Sequence, residues 1–143
     1  MAVHGSSDIV VDELYETTYR LRQFVEARLR KEGASVARLR ALRMLARAEH
    51  PLRMRDLSEM AGIAARTTTT IVDSLERDGL VERVRHPQDR RAILLRLTDE
   101  GRRCHREAEG IDRLALAEAT AALTAEDRDR LRSLLALIRE ATV

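Results

Sequence analysis

Two clusters of side chains in this 143-residue chain are equipped for chemistry. One is His86-Pro87-Gln88-Asp89-Arg90-Arg91, set between two runs that alternate apolar and polar residues. From Arg83 to Arg96 the arginines are Arg83, Arg85, Arg90, Arg91 and Arg96, and the only acid is Asp89. A guanidinium is a planar fork of donors that bonds phosphate and guanine edges bidentately. The other cluster is Arg66-Thr67-Thr68-Thr69-Thr70, at the start of a helical pattern. Threonine hydroxyls can meet phosphates or base edges, their methyls can meet the methyl of thymine, and a helix N-terminus offers free N–H groups to phosphate. Both clusters are suited to binding a nucleic acid duplex, not to breaking a bond.

The elements that must hold these clusters are legible in the apolar spacing. Ser6-Ser7-Asp8 offers caps for a long first helix with Val10, Leu14, Leu21, Val25 and Leu29 on one side, stopped by Gly33. Ser35 caps a second, carrying Leu39, Leu42 and Leu45 and ending at His50-Pro51. Asp56–Ala61 and about Ala65–Asp78 form two shorter helices around Gly62, the helix–tight turn–helix signature. A two-stranded hairpin follows, with Val84 ending one strand and Ile93, Leu95 and Leu97 alternating along the other. Thr98 caps a long helix whose apolar side runs Cys104, Ala108, Ile111, Ala115, Ala119, Ala122. Thr124-Ala125-Glu126-Asp127, an acidic capping box, opens the last, with Leu131, Leu134, Leu135 and Ile138.

The predicted fold is therefore mainly α with a small β-hairpin wing: a winged helix-turn-helix flanked by N- and C-terminal helices that pack together. It is read as one domain over 1–143, with the winged helix at about 36–98 and the flanking helices at 7–33 and 99–143. Such a helix fits the major groove and such a wing can place arginines in the minor groove. The predicted DNA-binding residues are Arg66, Thr67, Thr68, Thr70, Ser74, His86, Asp89, Arg90 and Arg91. Thr68 also sits where it can face the core with Ile71, Val72 and Leu75. Asp89 is expected to fix the rotamer of Arg91, and His86 to touch a phosphate.

Composition agrees and excludes other classes. Aromatics are 2% of residues, too few for most sandwiches or barrels, while helix formers dominate. Net charge is +2 and decides nothing; Lys31 is the only lysine, so the basic residues are almost all Arg. One cysteine, Cys104, excludes an intramolecular disulfide. No apolar run approaches the ~20 residues that span a bilayer, and a cytoplasmic location with no membrane partner is expected. No glycine-rich phosphate loop, Ser/His/Asp set or paired carboxylate supports an enzyme, so no catalytic residue and no cofactor are assigned. Among His4, His50, His86 and His105 no pair has helical i, i+3 or i+4 spacing, and no metal site is assigned.

The run DLSEMAGIAARTTTTIVDSLERDGLVERVRHPQDRRAILLRLTDEG resembles the winged helix of MarR-type regulators (multiple antibiotic resistance regulators). The telling pieces are Asp73-Ser74-Leu75-Glu76, then Asp78-Gly79-Leu80-Val81-Glu82-Arg83, then Asp89-Arg90-Arg91, then Leu97-Thr98-Asp99-Glu100-Gly101. The resemblance implies a homodimer built from the terminal helices, a recognition helix beginning near Arg66, and a wing Arg91 held by Asp89. It implies a repressor on a pseudo-palindromic operator, with recognition helices roughly 34–36 Å apart, released by a small, often phenolic, effector. Departures from the family pattern are Arg55 and Ala64 where capping Ser is common, Thr70 where Arg is common, and Arg66 where Pro is frequent. The first two imply uncapped short helices, Thr70 implies an operator of different sequence, and Arg66 adds a group able to read a base or bind a phosphate.

A pocket for an effector is expected between the terminal helices and the winged helix, with Tyr15, Tyr19, Leu42, Leu45 and His50 as lining candidates and Phe24 nearby. The aromatic members of that set also fit ordinary core or dimer-interface positions. Alternatives to an effector-released repressor are an effector-independent winged helix that binds DNA or another protein, and a redox-responsive regulator acting through Cys104 near Arg102, Arg103 and Arg106. Against the last, Cys104 lies on an apolar stripe, where a thiol is a small hydrophobe.

Overall fold

A computed structural model describes the backbone of residues 4–142 and the side chains of residues 9–142. Six helices and a small sheet follow in the order α1 (His4–Lys31), α2 (Val36–Arg47), β1 (Leu52–Arg53), α3 (Met54–Ala61), α4 (Ala65–Arg77), β2 (Val81–Arg85), β3 (Ile93–Leu97), α5 (Asp99–Ala119) and α6 (Ala125–Glu140). α1 is described from His4, so Ser6, Ser7 and Asp8 take positions within the helix; their side chains lie outside the described residues. The predicted caps of α2, α5 and α6 hold: Ser35 accepts from the Arg38 N–H, Thr98 from Gly101 and Thr124 from Asp127. Asp127 also accepts from the Thr124 N–H, which closes the acidic capping box.

The sheet has three strands, not two, in the order β1-β3-β2, all antiparallel. Leu52 pairs with Leu95 and Arg53 with Leu94. β1 is only two residues long, too short to leave an alternating pattern. In the wing, Val81 opposes Leu97, Glu82 opposes Arg96 and Arg83 opposes Leu95. Leu95, Leu97 and Val81 are buried, so one face of the sheet closes the core.

That core is aliphatic. Leu39 and Leu42 of α2, Leu57 of α3, Val72 and Leu75 of α4, and the three sheet residues meet in one cluster. Fully burying such side chains stabilises the fold by about 1.5–3 kcal/mol each. α1 packs along α5, and both reach α2. α6, expected to pack with the other terminal helices, does not. It has no buried residue, and Leu134 and Leu137 are 57% and 63% exposed.

A second set of contacts joins the start of the wing to the start of α5. Gly79 has φ +74°, the left-handed region where a Cβ is costly, and turns the chain from α4 into β2. The Thr98 hydroxyl donates to the Gly79 carbonyl at 2.6 Å, and the Thr98 N–H donates to the Leu80 carbonyl at 3.1 Å. Gly101 lies so close that a Cβ there would stand 2.0 Å from the Leu80 oxygen. The Asp78-Gly79-Leu80 and Thr98-Asp99-Glu100-Gly101 motifs are thus two sides of one joint.

Candidate nucleic-acid interface

α4 is placed by the turn that precedes it. Gly62 ends α3 at φ +65° and its N–H returns to Ser58 and Glu59 carbonyls. A hydrogen bond of 2.8 Å from the Ser58 hydroxyl to the Thr68 hydroxyl then ties α3 to α4. Thr68 is 1% exposed, so it belongs to the core side and not to the DNA-binding set. α3 starts two residues earlier than expected. Its cap position is Arg53, Arg55 lies inside the helix, and Asp56 accepts from the Arg53 N–H at 2.9 Å. One of the orphan amides expected to lack a partner is therefore satisfied. Ala64 is the cap position of α4 and supplies no side-chain bond.

With Thr68, Val72 and Leu75 inward, helical spacing puts Arg66, Thr70, Asp73 and Arg77 on the opposite, exposed side. Thr69 and Thr70 donate their hydroxyl protons back to the Ala65 and Arg66 carbonyls, at 3.0 and 3.1 Å. Each therefore offers a partner an acceptor oxygen and a methyl group, not a donor. Thr67 is exposed but borders a cavity of about 130 Å³ against Ala37, Arg40 and Met44 of α2. Ser74 is half-buried at the margin of the exposed face.

The wing arginines divide into two groups. Arg83 is on the face of β2 that looks at α4, and its guanidinium donates to Asp73 at 2.6 Å and to Glu76 at 2.7 Å. The two carboxylates hold the Arg83 proton more tightly than usual, with the Asp73 hydrogen bond the largest cause. Arg96 pairs across the strands with Glu82 at 2.6 Å. Arg85, Arg90 and Arg91 are exposed and make no ion pair among the described residues, and neither does Arg66.

The tip itself is built differently from the expectation. Asp89 does not hold the Arg91 guanidinium; its carboxylate accepts from the Arg91 backbone N–H at 3.1 Å. A short acid two residues before an amide favours this local turn over reaching a long side chain. His86 does not face outward with both ring nitrogens. Its Nδ1 accepts from the N–H groups of Gln88 and Asp89, each at 3.1 Å. Backbone bonds from His86 to Ala92 and from Ala92 to Asp89 complete the loop.

The predicted pocket residues do not converge. Leu42 is in the core, while Tyr15 and Tyr19 stand 77% and 62% exposed on α1. Leu45 and His50 do share a cleft of about 460 Å³, bounded by β3 and by Arg102, His105 and Arg106 of α5. Cys104 is half-buried on the same helix, and burial, then Glu107, pushes its thiol above the ordinary range. That is opposite to the shift a reactive thiolate requires. Among the described residues no group of His, Cys, Asp or Glu could hold a metal ion, and no helix is long and apolar enough to cross a membrane.

A helix-turn-helix closed by a three-stranded wing defines the class: this is a winged helix-turn-helix protein. A family model described as MarR family matches residues 33–92, from just past α1 through the wing tip. The HTH-type transcriptional regulator YdgJ of Bacillus subtilis is 34% identical over 107 residues, 75% of this chain and 65% of the relative. The HTH-type transcriptional repressor YetL, also of Bacillus subtilis, is 30% identical over 99 residues, 68% of this chain and 59% of the relative. The chain thus spans less than two thirds of the curated relatives it matches. Among solved structures, a MarR family protein from Bacillus stearothermophilus superimposes with a TM-score of 0.79 at 27% identity, covering 99% of this chain and 100% of that one. Apo MarR from E. coli shares the fold, with a TM-score of 0.78 at 19% identity over 96% and 98% of the two chains. The chain thus matches the MarR family over its winged helix and has the fold of a solved MarR family protein over nearly its whole length.

Proposed function

We propose that this protein is a sequence-specific, DNA-binding transcriptional regulator that acts as a homodimer on a pseudo-palindromic operator. The observation that carries the reading is the pattern of ion pairing. Arg83 and Arg96 are neutralised within the fold, while Arg66 on α4 and Arg85, Arg90 and Arg91 on the wing are exposed and unpaired. Uncompensated guanidinium groups on two projecting elements are what a phosphate backbone attracts. α4 enters the major groove with Arg66 and Thr70, and the wing reaches the minor groove with Arg90 and Arg91. The winged helix at about 36–98 is carried by dimerisation helices at 7–33 and 99–143, which set the half-site spacing. Repression, with release by a small aromatic effector, is the direction of regulation supported by the name of YetL and by the cleft beside Leu45 and His50.

The test is selection of duplexes from a random pool, followed by gel shift of the winner at two salt concentrations. A palindromic consensus with steeply salt-dependent affinity is expected. Recovery of unrelated sequences, or of none, rejects the reading.

A further inference from the structure

We infer that His86 is a positioning residue that braces the wing tip through Nδ1, and so sets where Arg90 and Arg91 meet the duplex. The functional half of this rests on the DNA-binding reading above; the brace itself does not.

The seven residues 86–92 form a tight connection whose amides are almost all accounted for. The His86 N–H goes to the Ala92 carbonyl at 3.0 Å, and the Ala92 N–H to the Asp89 carbonyl at 3.0 Å. Pro87 has no N–H to satisfy. The Arg91 N–H goes to the Asp89 carboxylate. The remaining pair, Gln88 and Asp89, both point at one atom, His86 Nδ1, at 3.1 Å each. The imidazole therefore fills the inside of the turn as the acceptor that no backbone carbonyl supplies. Arg90 is the one tip residue, besides proline, for which no internal bond from the amide is found among the described residues. The tip is thus braced on both sides of Arg90, by His86 before it and by Asp89 after it.

A ring nitrogen that accepts cannot also carry a proton. Nδ1 is therefore the bare nitrogen and Nε2 carries the hydrogen. This assigns His86 a role its residue type does not announce. A histidine among arginines on a wing reads as one more cation for phosphate. The geometry makes it a neutral acceptor whose effect on DNA passes through the backbone. Holding the tip before binding lowers the ordering cost when two long arginine side chains enter a groove.

The two roles separate cleanly by substitution. His86→Asn keeps an acceptor able to take amides two and three residues on, as in an Asx turn. His86→Lys keeps or raises positive charge and has no acceptor. His86→Ala has neither. Two measurements are made on the full chain. In the free protein, amide hydrogen exchange of Gln88 and Asp89 and the ring-nitrogen shifts of His86 are read by NMR. Protected amides and an Nε2–H tautomer are expected, with protection lost in His86→Ala and His86→Lys and kept in His86→Asn. Unprotected amides in the unsubstituted protein overturn the brace regardless of DNA. Affinity is then measured for the duplex selected from the random pool. His86→Ala and His86→Lys should bind about tenfold more weakly, with His86→Asn within about twofold of the original. If His86→Lys binds as well as the original and His86→Asn does not, His86 is a phosphate contact and the inference fails. If no duplex is selected, the DNA reading and the positioning role fall together.

Discussion

Arg83 of β2 bridges Asp73 and Glu76 of α4, with its two terminal nitrogens at 2.6 and 2.7 Å from the two carboxylates. One guanidinium thereby fastens the wing to the helix that projects beside it. It also compensates Asp73, which shares the exposed side of α4 with Arg66 and Thr70. Because the carboxylates are roughly half exposed, the pair contributes only about 1 kcal/mol to stability. Its larger effect should fall on binding. Arg83→Ala should leave the melting temperature within a few degrees and weaken duplex affinity about tenfold. Adding Asp73→Asn to Arg83→Ala should recover part of that loss, since a bare carboxylate no longer faces phosphate. No recovery in the double variant would mean that Arg83 serves as a strut alone.

Gly101 makes the opposite prediction: a large change in stability from an exposed-looking motif. Its Cα faces the Leu80 carbonyl so closely that any Cβ collides with backbone, not with a side chain that could swing away. Gly101→Ala should raise helix propensity in α5, a gain of roughly 1 kcal/mol, and still cost more than about 2 kcal/mol through displaced backbone. A thermal melt followed by circular dichroism decides. A variant as stable as the original would show that the joint between Leu80 and α5 opens without penalty.

The family motifs were legible before their purpose was. Leu97-Thr98-Asp99-Glu100-Gly101 reads as a helix start, because Thr98 and the acids fit the cap and the dipole. Nothing local announces that Thr98 also bonds Gly79, or that Gly101 is flush against Leu80, since both partners are about twenty residues away. Helices α2 to α5 were readable because each has an apolar period and a stop. β1 was not, because two residues cannot show alternation. The division among wing arginines was encoded in the period of two: Glu82 and Arg96 oppose each other on one face and Arg83 lies on the other. A count of charges hides it. Tyr15 and Tyr19, which the sequence offers as pocket walls or interface residues, lie exposed on α1 of the single chain.

Arg91→Ala removes an exposed wing cation without touching a packed contact, since Asp89 holds only the Arg91 amide. Affinity for the selected duplex should fall more than about tenfold, and the slope of log affinity against log salt should drop by about one. Arg66→Ala should instead change which duplexes are selected, with a smaller change in slope. Unchanged affinity for Arg91→Ala would remove the wing from the interface, and a uniform loss over all sequences for Arg66→Ala would make that residue a phosphate contact.

Cys104 should be a slow thiol. Burial is the main reason its thiol is held above the ordinary range, and Glu107 adds to it, so the thiolate fraction near neutral pH is below that of a free cysteine. Labelling by iodoacetamide should be slower than for a model thiol and should accelerate as pH rises into the alkaline range. Hydrogen peroxide should leave duplex binding unchanged. Release of DNA by peroxide, reversed by a thiol reductant, would restore the redox reading.

α6 presents an apolar face that its own chain leaves bare. Leu131, Leu134, Leu135 and Ile138 form an apolar stripe at helical spacing, all are exposed, and no residue of the helix is buried in its own chain. A lone 16-residue helix is marginal in water, so a second chain is the natural cover. Ile9, Val10, Leu14 and Leu114 extend the exposed apolar surface onto α1 and α5. A two-fold axis would let the same surface serve both subunits. Ending the chain after Asp127 should yield a monomer by light scattering, with the helix-turn-helix still folded because α2, α3, α4 and the sheet share a core that omits α6. That monomer should bind a half-site weakly and lose the gain from joining two half-sites. Leu134→Glu tests the same surface without truncation. A dimer that survives both changes and still binds the palindrome would place the interface elsewhere.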